Sequence, residues 1–181
     1  MKKVICILTN GFEEIEALGT IAILRRAQID VDIFSLNTDE ATGRYNIHVT
    51  NLGKFSDINL ENYDCLFIAG GPEYVELESS EKFKKVILHF ASQNRTIAAI
   101  CAGPTILGHL GLLKGLYYTC FNSMNEDFGG TFIDKYVVED KNIITGKSAA
   151  ATIDFAFKIV ESLTSKEHAE KVKNSIYYYN N

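Results

Sequence analysis

Apolar runs of strand length alternate along the chain with stretches whose apolar positions recur at helical spacing. Val4-Ile5-Cys6-Ile7-Leu8 is a continuous apolar run. Glu14 to Ala27 follows, with Ile15, Leu18 and Ala22 on one helical face. Val31 to Leu36 reads as a second strand and Cys65 to Ala69 as a third, closed by Gly70-Gly71-Pro72. Phe83, Val86, Ile87 and Phe90 then recur at i, i+3, i+4 and i+7, the stripe of an amphipathic helix. Thr96 to Ile100 is a fourth buried run, and Ile153, Ala156, Phe157 and Val160 make a late helix stripe.

Strands that are apolar throughout and separated by helices predict a mostly parallel sheet covered on both faces. Two segments break the rhythm. Arg44 to Lys54 reads as an extended excursion or a hairpin, and Val137-Val138 with Ile143-Ile144 as a second hairpin around Glu139 to Asn142. There is no internal repeat, low-complexity tract or linker, so residues 1–181 read as one domain. The tail Tyr177-Tyr178-Tyr179-Asn180-Asn181 reads as a packed end in preference to a partner contact. In open sheets of this class ligands sit at the carboxyl ends of the strands. Functional residues are therefore expected just after Leu8, Ala69 and Ile100.

Composition narrows the class. The 181 residues are 46% apolar and 23% charged, ordinary for a globular chain and unlike a disordered or fibrous one. A net charge of −5 argues against a phosphate-backbone binder, which needs a basic patch. No run approaches the ~18 apolar residues of a membrane span. The short run after Met1-Lys2-Lys3 ends at Thr9-Asn10 and is followed by Glu13, Glu14 and Glu16, which is wrong for a secretory leader. The expected compartment is the cytoplasm, where Cys6, Cys65, Cys101 and Cys120 rest as thiols. None forms a Cys-x-x-Cys pair, and the four histidines are scattered, so no metal site is expected.

The candidate chemistry falls at the three strand ends. Cys101 sits between strand Ile97–Ile100 and the turn Ala102-Gly103-Pro104-Thr105. A nucleophile on a sharp strand-to-helix turn is held out of the sheet beside backbone amides. The helix N-terminus favours negative charge, and with it the thiolate. The competing reading is a small buried core cysteine. Gly70-Gly71 permits close approach of backbone to ligand, and their amides could hold an oxyanion; the plain alternative is a turn. Glu13 and Glu14 suit a helix first turn. Glu16 is either a solvated helix glutamate or, facing the sheet edge, a buried acid with a raised pKa able to exchange protons. Gly146-Lys147-Ser148 lacks the first glycine of a phosphate loop, since residue 141 is Lys141. His168-Ala169-Glu170 reads as a solvated helix face among Lys166, Glu167, Lys171 and Lys173.

Three segments, Gly11-Phe12-Glu13-Glu14-Ile15-Glu16, Ile68-Ala69-Gly70-Gly71 and Ala98-Ala99-Ile100-Cys101-Ala102-Gly103-Pro104, together resemble the signatures of the ThiJ/PfpI superfamily. The similar branch is that of the parkinsonism-associated deglycase and its bacterial ThiJ-type relatives, and it spans Lys3 to about Val172. The resemblance implies a flavodoxin-like three-layer α/β sandwich with a nucleophile elbow, usually a homodimer. It implies Cys101 as the reactive nucleophile and Glu16 as its acidic partner. It also implies the amides of Gly70, Gly71 and Ala102 around the thiol, and no cofactor. The activities it suggests are glutathione-independent glyoxalase, repair of dicarbonyl-modified molecules, oxidative-stress sensing and chaperone behaviour.

Departures from the pattern bear on mechanism. Cys120 stands where some members carry histidine, and Ala102 where the protease-like branch has histidine after the nucleophile. Asn122 stands where proline is frequent, and Ser148-Ala149-Ala150 replaces a Gly-Pro-Gly near the pocket. Three readings remain: an enzyme acting on small dicarbonyl compounds through Cys101 and Glu16; a redox sensor or chaperone-like stress protein, with Cys120 as a possible resolving thiol; and a hydrolase or amidase. None requires a membrane or nucleic acid.

Overall fold

A computed structural model describes residues 1–178; Tyr179, Asn180 and Asn181, part of the tail discussed above, lie outside the described residues. The strands are β1 (Lys3–Leu8), β2 (Asp30–Ser35), β3 (Glu40–Thr42), β4 (His48–Thr50), β5 (Gly53–Lys54), β6 (Cys65–Ile68), β7 (Thr96–Ile100), β8 (Tyr117–Tyr118), β9 (Thr131–Phe132), β10 (Val137–Asp140) and β11 (Ile143–Gly146). The helices are α1 (Thr20–Arg26), α2 (Tyr74–Ser79), α3 (Glu81–Ser92), α4 (Gly103–His109), α5 (Thr152–Leu163) and α6 (Lys166–Ser175).

Seven strands form the central sheet in the order β10-β11-β7-β6-β1-β2-β5. All pairings are parallel except β10 with β11. The five long parallel strands run β2-β1-β6-β7-β11, the 2-1-3-4-5 order of a doubly wound sheet. The strand order reverses between β1 and β6, which opens a crevice at their carboxyl ends.

Alternation along each strand builds two cores. Val4, Cys6 and Leu8 of β1 face one side with Leu24, Phe155, Val160 and Val172, beneath α1, α5 and α6. Ile5 and Ile7 face the other with Phe83, Ile87, Phe90 and Ile106, beneath α3 and α4. The stripe read for α3 is thus its buried face, and the Ser80 hydroxyl caps that helix by accepting from the Phe83 amide at 3.3 Å.

Other expectations shift. Of the stripe Ile15, Leu18 and Ala22, only Leu18 packs partly against the core; Ala22 is exposed and Ile15 is 60% exposed. Ile15–Gly19 forms a π-helical turn before α1, and the wider turn rotates Glu16, Ala17, Thr20, Ile21 and Leu24 inward instead. In α5, Ala156, Phe157 and Val160 are buried but Ile153 is exposed. The excursion is a hairpin of β3 with β4, so Arg44 and Tyr45 occupy its turn, and β5 returns to the sheet edge beside β2. Tyr178 packs on the body: its ring lies 5.2 Å from that of Phe157 and its hydroxyl donates to Asp154 Oδ1.

Candidate active site

Three strand ends meet at the crevice. Cys101, directly after β7, has φ +61°, a left-handed conformation that an L residue with a side chain rarely adopts. The surroundings hold it there. Its amide donates to the Gly146 carbonyl at 2.8 Å, and its carbonyl accepts from the Phe121 amide at 3.0 Å. Backbone strain retained in this way marks functional sites. The next residue, Ala102, caps α4, and its amide hydrogen-bonds Cys101. The arrangement is a nucleophile elbow.

Glu16 enters from the π-helical turn after β1 and is fully buried. Its carboxyl lies beside the Cys101 side chain, the two meeting where a Gly70 side chain would stand. Its Oε2 accepts from the Gly70 amide at 2.9 Å, whereas its Oε1 is buried with no hydrogen-bond partner among the described residues. The Glu13 carboxylate fixes the start of this turn by accepting from the Glu16 amide at 2.8 Å.

The Gly70-Gly71 turn leaves no room for side chains. A Cβ on Gly70 would strike Glu16 Oε2 and stand 2.7 Å from Cys101 Cβ. Gly71 has φ +98°, and a Cβ there would lie 2.5 Å from the Gly11 carbonyl oxygen. The two amides have different uses. That of Gly70 is committed to Glu16, so it orients the acid and is not free for an oxyanion. Gly71 and Ala102 both line the open cleft.

Burial pushes the Glu16 carboxyl up to about 7, against the neighbouring Cys101 thiol and the Gly70 amide, which favour its anion. Burial, and then the Glu16 carboxylate beside it, also push the Cys101 thiol up. The sequence favoured a thiolate on the strength of the helix N-terminus. In the fold the Ala102 amide does favour the anion, but a short helix is outweighed by an adjacent carboxylate at low solvent exposure. Two buried acids this close do not both ionise: the Cys101 thiol keeps its proton near neutral pH, and Glu16 loses its own at about 7.

The cleft above the pair has a volume of about 440 Å³. Arg44 and Tyr45 form part of it because Glu14 grips their turn: its Oε1 accepts from the Tyr45 amide at 2.5 Å. Glu14 therefore anchors the hairpin from the N-cap of the π-helical turn. Ser148, Ala149 and Ala150 line the cleft from the far side. No histidine lines it. His168 is remote, with Nε2 2.8 Å from the Ala27 carbonyl oxygen. Among the described residues no group of three or more His, Cys, Asp or Glu is placed to hold a metal.

Cys120 reaches the same loop through the backbone, since Phe121 follows it and binds the Cys101 carbonyl. Its side chain, however, is buried in the opposite core with Tyr118 and Phe128. Its thiol lies 3.6 Å from the Phe121 carbonyl oxygen, and burial pushes it up to about 11.

Glu73 was not singled out from the sequence. It is 1% exposed, accepts from the Thr9 amide through Oε2 at 2.8 Å, and has no partner for Oε1 among the described residues. It clamps the end of β1 to the glycine turn, and burial holds its carboxyl well above the usual range. A glutamate three residues beyond Gly70 carries no local pattern that marks it as buried.

Comparison with known proteins agrees with this geometry. Residues 2–162 match the DJ-1/PfpI family model. Drosophila melanogaster protein dj-1beta is 30% identical over 180 residues, covering 97% of this chain and 96% of its own. Protein DJ-1alpha of the same organism is 32% identical over 97% of this chain and 83% of its own. A DJ-1 superfamily protein of Salmonella typhimurium, solved as a cysteine-to-alanine mutant, superposes with a TM-score of 0.92 at 30% identity, covering 99% of this chain and 100% of that one. Toxoplasma gondii DJ-1 in an oxidized form gives 0.92 at 28% identity over the same shares. On its matched length, its fold and its elbow, the chain belongs to the DJ-1/PfpI family.

Proposed function

We propose that this protein is a cysteine-dependent stress-response enzyme acting on reactive dicarbonyls, a glutathione-independent glyoxalase or deglycase-like catalyst. The observation that carries the reading is the buried Glu16 carboxyl set beside the Cys101 side chain, both lining an open cleft. With methylglyoxal, the Cys101 sulfur bonds to the aldehyde carbon and the carbonyl oxygen takes a proton, giving a hemithioacetal. Glu16 removes the proton from that carbon and returns one to the neighbouring carbon, leaving a thioester. Water cleaves the thioester, releasing lactate and restoring the thiol. The net change is addition of one water, with no external oxidant. A group titrating at about 7 is matched to moving protons in both directions near neutral pH. The amides of Gly71 and Ala102 are the candidate donors to the developing oxyanion.

The test is lactate formation from methylglyoxal without glutathione, comparing the native protein with Cys101→Ser. Turnover abolished in the variant supports the reading, and no turnover above the variant overturns it. Full turnover by Glu16→Gln would remove the proton-shuttle role alone.

A second reading, redox sensing, is favoured by exposure: Cys6, Cys65 and Cys120 are buried, whereas Cys101 is partly open to the cleft. A hydrolase or amidase is less well supported, because the cleft offers no histidine base. We also infer a cytoplasmic protein; among the described residues no helix is long and apolar enough to cross a membrane. Homodimerisation is supported by Ile15 and Ile153, exposed on packed neighbouring elements.

A further inference from the structure

The cleft is much larger than the dicarbonyl used to probe it. A volume of about 440 Å³ lies within the roughly 300–1,000 Å³ of sites that enclose drug-sized ligands, and a three-carbon aldehyde fills a small part of it. Glu16 and Cys101 share the cleft with the polar side chains of Glu13, Arg44 and Ser148. Most of its remaining bulk is supplied by Tyr45, Tyr74, Val75, Phe121 and Met124. Three of these leave much of their apolar surface to solvent: Tyr45 is 65% exposed, Val75 59% and Phe121 44%. They come from three separate segments, the β3–β4 turn, α2 and the loop after β8, and all converge on one reactive thiol. Apolar surface gathered around a reactive group is how enzymes select a non-reacting part of their substrate. Arg44 is also at the cleft, with its guanidinium 5.5 Å over the Tyr45 ring, where it offers a stacking face as well as a charge.

We propose that the cleft selects electrophiles carrying an aromatic or bulky apolar group, seated against Tyr45, Val75 and Phe121 while the reactive carbon meets Cys101. Resting on the reaction proposed above, the preferred substrate is then a 2-oxoaldehyde whose ketone carbon bears that group. The same sequence of thiol addition, proton transfer and thioester hydrolysis converts it with one water to the corresponding 2-hydroxy acid. A hydrophobic pocket discriminates by roughly 10–200-fold for a small change in apolar bulk.

Two measurements test this, and they fail separately. The first is the rate of Cys101 labelling by iodoacetamide, N-benzyl iodoacetamide and iodoacetate, each normalised to its rate with a free thiol and assigned by peptide mass. The expected result is N-benzyl iodoacetamide at least tenfold ahead of iodoacetamide, with the ratio falling toward one in a Val75→Ser/Phe121→Ser variant. Equal normalised rates overturn the proposal. So does a lead for iodoacetate, which would make Arg44 the selector and the ligand an anion. The second is glutathione-free turnover, where kcat/KM for phenylglyoxal should exceed that for methylglyoxal at least tenfold in the native protein and approach parity in the variant. Parity in the native protein overturns the substrate preference. Absence of turnover with both compounds overturns the lyase reading, while the labelling ratio still decides the selectivity of the cleft.

Discussion

Gly70 donates its amide to Glu16 Oε2 at 2.9 Å, and the absence of a Gly70 side chain is what lets that carboxyl reach Cys101. Turn and acid are thus a single device. Gly70→Ala places a methyl against the carboxylate and 2.7 Å from Cys101 Cβ. We expect at least a hundredfold loss of Cys101-dependent turnover in Gly70→Ala, on the scale of removing an active-site hydrogen-bond donor, about 2.7–4 kcal/mol. Steady-state kinetics beside circular dichroism will separate this from unfolding. Turnover within threefold of the native protein would show that Glu16 needs no such alignment.

The raised Glu16 carboxyl has a cost in stability. An unfolded glutamate titrates near 4.5 and the folded one at about 7. Between these values the unfolded chain gives up its proton while the folded chain keeps it. Folding stability from this group is therefore greatest at low pH, falls across pH 4.5 to 7, and is level above. Glu16→Gln removes the effect and should be more stable than the native protein by about 3 kcal/mol at pH 8, and by less than about 1 kcal/mol at pH 5. Urea midpoints at the two pH values provide the comparison. An equal gain at both would disconnect the effect from ionisation. Glu73, raised by burial in the same direction, should behave alike in Glu73→Gln.

Cys101 holds a strained φ of +61° that glycine adopts freely. Cys101→Gly should abolish activity and raise stability by about 1 kcal/mol over Cys101→Ala, which keeps the strain. Thermal unfolding of the two variants measures the difference. If the alanine variant proves the more stable of the two, the elbow is not strained.

Peroxide chemistry discriminates the roles of the two loop thiols. Cys120 is buried in the core opposite Cys101. Mild oxidation should therefore add two oxygens to Cys101, giving a sulfinate, and Cys120→Ser should oxidise to the same product. Intact mass distinguishes the outcomes, since loss of two hydrogens would identify a disulfide with Cys120 as the resolving thiol.

Ile15 and Ile153 present an exposed apolar face on neighbouring elements. If a second copy covers it, Ile15→Glu should convert a dimer to monomer in sedimentation velocity without loss of secondary structure. A native protein that is already monomeric at micromolar concentration would rule the interface out.

The parallel sheet and the strand ends that carry the site were legible because those features are local. A strand buried on both faces must be apolar along its buried length, as Val4–Leu8 of β1, all of β6 and Ile97–Ile100 of β7 are, and a turn after such a strand must sit at the carboxyl edge. Cys101, Gly70 and Gly71 could be placed by that logic alone. The face of the helix after β1 could not, because the periodicity assumes 3.6 residues per turn and the π-helical turn at Ile15–Gly19 breaks that period. Nor could the division of labour between Gly70 and Gly71, the burial of Glu73, or the grip of Glu14 on Tyr45, each of which joins residues at least 31 positions apart.

By itself, then, the sequence determined the parallel sheet and the succession of its elements, and it placed Cys101 at a strand end, through hydrophobic periodicity and turn chemistry that act within a few residues; the choice of Cys101 as a nucleophile over a core cysteine came from the family resemblance. Tertiary structure alone decided the protonation of that thiol. Whether Cys101 rests as thiol or thiolate depends on a carboxyl brought from another strand end and on the water excluded around both, and burial and proximity are properties of the assembled fold.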